Sequence, residues 1–507
     1  MTANGDRAVW PRHLALAILV FAIGGSAFAF GSVELWAQGW LRFTGLLALA
    51  VILWTVPARE VFGGRAGRLA LPAAGVIACA IVQTIPLPRG VVAAISPRAS
   101  EIHRATVPPE ELSLSEWLLA NARDKGETVT GEELPLPRPA APDDPAIGRS
   151  LSIFPHATRQ AALSWATPLV FFLLAAWIAR SLLARYWLLW SIAWWAGLLG
   201  LIAVAQRVAW NGKILWFRPA PGYTDPLGPF VNPTHFAGFV EMGTLVTVGL
   251  GLALVSHAHG RLDLSALRSA VLDREWALPR LLAAGSLSIL GVTGIVLSRS
   301  EGGLVAFGAG LAFLLVGRHM RRVATLLPAG VVCGGLAVGL TRMLGPSLLG
   351  MGTEPVMSTQ VSASFALRLD SWARTFDIFL DFPVAGTGLA TFPWAFAGYR
   401  RPGEWATLEE THNDYLQLVS ETGVVGLLLL AWGVWIFSRR ILGPALADAA
   451  DRGRWTTLGT TAAVFAMLVH TVVDFNLQTP ANAVLFATLL GILTGAVPAA
   501  RVDPVDR

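Results

Sequence analysis

About twelve runs of roughly 17 to 25 largely apolar residues lie along this chain, and segments of that length and polarity belong across a lipid bilayer. They fall near 14–32, 37–56, 69–88, 161–180, 185–208, 232–257, 279–298, 301–317, 323–343, 412–438, 455–475 and 480–498. Hydrophobic residues make up 54% of the chain and charged residues 14%, too apolar a balance for a soluble protein of 507 residues. The expected fold is an all-α polytopic membrane protein of about twelve transmembrane helices. The N-terminal MTANGDRAVWPRH resembles a signal peptide's charged region. The apolar stretch after it continues to about Phe30 without a small-residue cleavage site, so it reads as a retained first span.

The formal net charge of +5 would suggest a nucleic-acid partner in a soluble chain. Here the basic residues gather in short loops between spans, where they set orientation, and nucleic acid is discounted. With a cytoplasmic N-terminus, the inner loops hold Arg59, Arg65 and Arg68, then Arg180 and Arg185, Arg261, Arg268 and Arg274, Arg318, Arg321 and Arg322, and finally Arg439, Arg440, Arg452 and Arg454. Of the short outer loops, the one with a basic residue to explain is that of Arg299. This asymmetry places both termini inside. Cys79 and Cys333 sit in separate apolar runs and read as packing residues rather than a disulfide or thiolate site.

The resulting division is N-terminal spans over 1–88, an outer loop over 89–160, central spans over 161–343, a large outer loop over 344–411, and C-terminal spans with a cytoplasmic tail over 412–507. The first loop contains the proline-rich, charged RDKGETVTGEELPLPRPAAPDDPAIGR, whose low hydrophobicity reads as a flexible excursion. The second loop carries SFALRLDSWARTFDIFLDFP, with Phe365, Leu369, Trp372, Phe376 and Phe379 at helical spacing opposite Arg368, Ser371, Arg374 and Asp377. It reads as an amphipathic helix on the outer membrane surface or the bundle mouth, ended by Pro383 and the following glycines.

Chemistry is expected where THNDYLQLVSETG opens a span with polar side chains. A bond-forming site on the outer face has no nucleotide supply, so the energy must arrive in the substrate, and a lipid-linked diphosphate is the obvious carrier. Such a substrate needs fixed cations whose planar fork matches phosphate oxygens, and a group that takes a proton from an attacking hydroxyl. Arg299, Arg368 and His412 supply these types on one face. The plainer alternatives are a snorkelling interface arginine for Arg299, a headgroup-facing charge for Arg368 with Arg374 competing for its role, and a helix-start residue after a Thr411 cap for His412.

Asn413, Gln417 and Glu421 recur every four residues and form one stripe toward the bundle or a water-filled vestibule. Asn232 and His235 in VNPTHFAGF, and His470 and Asp474 in HTVVDFNLQTPAN, are expected to shape the same vestibule. A polar span end is the alternative for each. There is no glycine-rich phosphate loop, no HExxH pattern and no metal-holding aspartate pair, and no metal is expected at His257 and His259.

The ordered series GPFVNPTHFAGF, LSRSEGGLVAF, RLDSWARTFDIFLDFPVAGTGLATF, THNDYLQLVSETGVVGLLLL and HTVVDFNLQTPANAVLF resembles the O-antigen ligase and O-antigen polymerase superfamily over about residues 225–495. QTIPLP and SLSIFPHATRQAAL upstream resemble its longer members. The resemblance implies a GT-C-like bundle in the bacterial inner membrane, working at the periplasmic face without a metal or other cofactor. It would move a glycan from undecaprenyl diphosphate to an acceptor hydroxyl with inversion, the acceptor being a glycan or lipid A-core.

It also implies that Arg299, Arg368 and His412 are the functional residues. Membrane lipids, and a flippase and chain-length regulator in the polymerase case, are the partners that would go with it. The chain departs from the family in its long first outer loop and in Arg374. A transporter of lipid-linked glycan or small anions is the alternative, and Glu241, well inside its span, is the residue that favours it. A non-catalytic assembly scaffold is the third reading.

Overall fold

The computed structural model describes residues 9–105, 149–220, 225–256, 277–317, 327–328, 330–332, 360–401, 404, 408–443 and 451–496. Its longer helices are α1 (Val9–Phe28), α2 (Leu35–Thr55), α3 (Gly64–Gln83), α4 (Pro155–Ile178), α5 (Leu182–Val208), α6 (Pro233–Ser256), α7 (Ala277–Leu297), α8 (Glu301–Gly317), α9 (Gln360–Asp381), α10 (Asp414–Ile436), α11 (Asp451–His470) and α12 (Pro480–Ala496).

Among the described residues, eight helices are long and apolar enough to cross a membrane, namely α1 to α7 and α10. α8 and α12 are shorter apolar helices, and α11 opens on the charged, threonine-rich DRGRWTTLGTT. The span expected over 323–343 lies almost wholly outside the described residues. So does the proline-rich stretch of the first outer loop, apart from its last residue, Arg149. The ends of that loop are folded: short helices run over Arg89–Ile95 and Pro97–Ala105, and Leu87 bridges to Arg149.

α6 is the central element, buried nearly all round and packed on α5, α7 and α11. In hydrocarbon the packing of small residues, rather than exclusion of water, lets helices associate closely. The α6–α11 crossing shows this: a Cβ on Gly249 would lie 2.8 Å from the Cα of Gly459. Further along the same pair, the fully buried Glu241 of α6 meets the fully buried His470 of α11, with Nδ1 3.1 Å from each carboxylate oxygen. The carboxyl that looked anomalous in the sequence has a partner inside the bundle.

α10 is broken where the sequence reads as one continuous span. Gly423 has φ 64° and ψ −155°, and the segment after α9 runs in beside the break. The freed groups are accounted for: Thr387 N donates to Ser420 O (3.1 Å), Gly388 N and Gln83 Nε2 donate to Glu421 O (3.0 and 2.8 Å), and Val424 N donates to Pro383 O (2.8 Å). A Cβ on Gly423 would lie 2.4 Å from the Val384 oxygen, so both the left-handed backbone and the close approach require glycine there.

α9 docks on the mouth of the bundle beside α10, the second of the two places expected for it. Its buried face carries Ser371, Trp372, Thr375 and Ile378, while Leu367 and Leu380 are exposed, so Ser371 is not on the outer polar face. Thr375 satisfies its hydroxyl by donating to Ser371 O (2.8 Å), which lets small polar groups pack where bulk apolar ones would not fit. The segment ATFPWAFAGYRRPGEW, with no assignment from sequence, forms a short helix at Phe392–Ala397.

Candidate active site

The site forms where α10 and α12 begin, α11 ends, and α9 lies across them. Asn413 caps α10, its side chain accepting from Tyr415 N and Leu416 N at 3.1 Å each. The cap is Asn413 rather than Thr411. His412 immediately before it is forced into left-handed backbone, φ 58°. Its carbonyl accepts from Trp372 Nε1 (3.2 Å), and its ring packs edge-on to Phe475, 4.9 Å between centroids. The side chain is 31% exposed. Nδ1 lies 3.4 Å from Oδ1 of the buried Asp474, an ion-pair distance without the angle of a directed hydrogen bond. Nε2 is the ring nitrogen left for a ligand.

Asp474 stands in the turn between α11 and α12, with His235 Nε2 3.9 Å away on the other side. His235 is fixed by Thr479 Oγ1 at 2.8 Å from Nδ1, by Asn232 Nδ2 at 3.5 Å from Nε2, and by the same Phe475 ring at 4.7 Å. Burial opposes a charge on Asp474. The side chains of His412, His235 and His470 outweigh it and hold the carboxyl below the usual carboxylate range. His470 is turned inward to Glu241, so it supports the site from below rather than lining it.

Arg299 occupies the turn between α7 and α8 with φ 55°, a second non-glycine residue in the left-handed region. Ser298 Oγ accepts from Ser300 N (3.1 Å), and Ser300 Oγ accepts from Gly303 N (3.0 Å), capping α8. A Cβ on Gly302 would lie 3.1 Å from Val473 and 3.2 Å from His470, so this turn abuts the one carrying Asp474. Arg207 braces it by donating to Leu297 O (3.2 Å) while forking onto Asp225 at 2.9 Å twice. That fork, with the Arg299 charge as a smaller contribution, holds the Asp225 carboxyl below its ordinary value. Arg368 stands one helical turn before Trp372, and its charge is felt at His470. Among the described residues, neither Arg299 nor Arg368 has a side-chain hydrogen bond or ion pair.

Arg374, expected to compete for substrate, is already engaged. It pairs with Asp370 and with Glu404 (2.6 Å) and lies 4.8 Å over the Phe396 ring, which neutralises it within the α9 region. The stripe Asn413–Gln417–Glu421 exists but turns toward the neighbouring loops. Gln417 accepts from Thr411 N (3.0 Å) and donates to Glu410, while Glu421 accepts from Ala390 N (2.7 Å) and Phe392 N (3.1 Å). These two residues hold loops in place. Burial pushes the Glu410 carboxyl up to about 7.

Sequence reasoning gave no site role to Arg207, Trp372 and Thr479, whose partners Asp225 and Leu297, His412, and His235 are brought to them by the fold. It also passed over Asp414 as a joint, although an acid in the first turn of a span was a visible signal; it accepts from Leu477 N (3.0 Å) and Gln478 Nε2 (3.3 Å). His257 and His259 lie outside the described residues. Among the described residues no three His, Cys, Asp or Glu side chains are grouped to hold a metal ion.

A bundle of lipid-length helices with a histidine–carboxylate contact and, among the described residues, two arginines without a partner defines a multi-pass membrane protein with a candidate polar site at its end. Residues 286–431 match the family model described as O-Antigen ligase, so this stretch is similar to that family. The match takes in Arg299, Arg368 and His412 and leaves His235, His470 and Asp474 beyond its limits. No curated protein matches the chain.

Proposed function

We propose that this protein is a glycosyltransferase of the ligase or polymerase type, built as a GT-C-like bundle in the bacterial inner membrane with its site on the periplasmic face. The donor is a glycan on undecaprenyl diphosphate and the acceptor is a hydroxyl of a glycan or of lipid A-core. The observation that carries this reading is that Arg299 and Arg368 have no partner among the described residues, while Arg207 and Arg374 are matched by acids. Two guanidinium groups without a partner among the described residues, together with a part-exposed imidazole, suit a diphosphate leaving group and an attacking alcohol.

In this mechanism the acceptor hydroxyl gives its proton to His412 Nε2 as its oxygen attacks the anomeric carbon. The carbon–oxygen bond to phosphate breaks on the opposite side, so the configuration inverts, and the lipid diphosphate departs with its charge held by Arg299 and Arg368. Asp474 orients the imidazole through Nδ1 and stabilises the imidazolium, and Phe475 restrains the ring. The transporter alternative loses its main support, because Glu241 is committed to His470. Purified protein given the lipid-linked donor and an acceptor tests the reading. Conversion that is lost in His412→Ala supports it, and an inserted, folded His412→Ala variant with full conversion refutes it.

A further inference from the structure

A groove of about 350 Å³ runs down the bundle between α2, α3, α4, α10 and α12. Its walls are apolar for most of their length, among them Val76, Phe172, Leu418, Leu430, Val484 and Leu490. Two prolines line it, Pro72 inside α3 and Pro168 inside α4. Pro168 has no N–H for the Ser164 carbonyl one turn back, so the helix wall is locally opened on the side where Ser164 stands. The groove's polar residues are Gln38, Arg42, Ser164 and Thr167 from α2 and α4, and Asp414, Tyr415 and Gln478 from α10 and the turn before α12.

Arg42 is the residue that needs a reason. It lies seven residues into α2, about 10 Å along the axis from Leu35, in a helix otherwise composed for hydrocarbon. Its Nη2 donates to Gln38 Oε1 (3.1 Å) and Ser164 Oγ (3.0 Å), both neutral, and among the described residues no acid pairs with it. The one carboxylate on the groove, Asp414, is held on the opposite wall by Leu477 N and Gln478. A positioned guanidinium with an uncompensated charge at the head of an apolar channel matches an anion carrying a long hydrocarbon chain.

We propose that this groove is a lipid-binding site, taking the phosphate of a phosphate-headed lipid on Arg42 and its hydrocarbon chain between α3, α4, α10 and α12. The site is separate from the arginine pair proposed for the donor diphosphate, and it stands whether or not that pair binds one. Arg42 supplies two N–H donors to the phosphate oxygens, Gln38 and Ser164 fix the guanidinium plane, and the chain replaces bilayer lipid along the apolar walls.

The test uses the detergent-purified full chain in an Arg299→Gln/Arg368→Gln background, so that the proposed donor site contributes nothing. Polyprenyl phosphate, phosphatidylglycerol and uncharged polyprenol are added in turn, and bound lipid is counted by native mass spectrometry. The expected result is retention of the phosphate-bearing lipids over polyprenol, a loss of about tenfold for them in Arg42→Gln with polyprenol unchanged, and loss of all three when Ala73→Trp fills the groove. A preference for polyprenyl phosphate assigns the site to a carrier lipid, and a preference for phosphatidylglycerol assigns it to bulk phospholipid. Polyprenol bound as well as its phosphate, or phosphate lipids bound equally by Arg42→Gln or Ala73→Trp, would overturn the proposal.

Discussion

The carboxylate of Asp474 lies 3.4 Å from Nδ1 of His412, reaching it from a turn more than sixty residues further along the chain. In the proposed mechanism the contact leaves Nε2 as the working nitrogen, and the two residues divide one task. Removing the imidazole in His412→Ala should lower kcat by about 10²- to 10⁴-fold. Asp474→Asn should lower kcat less, about 10- to 100-fold, with the donor KM nearly unchanged, because it misaligns the ring without touching the donor. Steady-state kinetics on both variants check this. A donor KM that rises in Asp474→Asn while kcat holds would place the carboxylate in binding instead.

Arg299→Gln and Arg368→Gln should each raise the donor KM by about 10- to 100-fold, since in the proposed mechanism each removes a charge that meets phosphate. Arg374→Gln should behave differently: the donor KM stays near wild type and the melting temperature falls, because its partners Asp370 and Glu404 belong to the protein. Kinetics and thermal unfolding on the same preparations separate the two kinds of arginine.

The Glu241–His470 pair predicts a stability pattern. Glu241→Ala should cost about 3–5 kcal/mol by leaving a buried imidazole without its partner. The double change Glu241→Leu with His470→Leu should recover much of that loss, since an apolar pair needs no hydrogen bond. Denaturation of the single and double variants in detergent reads the coupling directly, and simple additivity would mean that the two residues act independently.

Glu410 sets a pH dependence. Its folded carboxyl titrates at about 7, above the ordinary 4.5, so between those values the folded protein holds a proton that the unfolded chain has released. Its contribution therefore weakens stability progressively as pH rises from about 4.5 to about 7 and is constant above that. Glu410→Gln, which stays neutral, should match wild type near pH 4.5 and gain on it through this window. Melting curves at intervals from pH 4.5 to 8 would show the gap opening, and a gap independent of pH would contradict the assignment.

Several parts of the molecule were legible in the sequence because they follow from local pattern. Apolar runs marked most helices, and the spacing in SFALRLDSWARTFDIFLDFP marked α9. Arg299, His412 and the HTVVDF turn stood out as polar residues at span ends. The break in α10 was not legible: Gly423 looks like any glycine in a span, and what breaks the helix is the Thr387–Gly388 segment arriving from elsewhere to take its carbonyls. Arg374 and Arg368 share one helix and one residue type; Asp370 four residues before Arg374 was visible in the sequence, but Glu404 and the Phe396 ring reach Arg374 only in the fold.

By itself the sequence determined the environment and the element type, since hydrocarbon admits long apolar helices and little else. It also determined which residue types were present to hold a diphosphate and accept a proton. Pairing was left to the tertiary structure: which arginine is matched by an acid, which histidine faces Asp474 and which faces Glu241, and that Arg42 has no carboxylate partner among the described residues. The physical reason is range, because a helix is specified by neighbours within four residues, while a charge is neutralised by whatever the folded chain brings within about 4 Å, however distant in sequence.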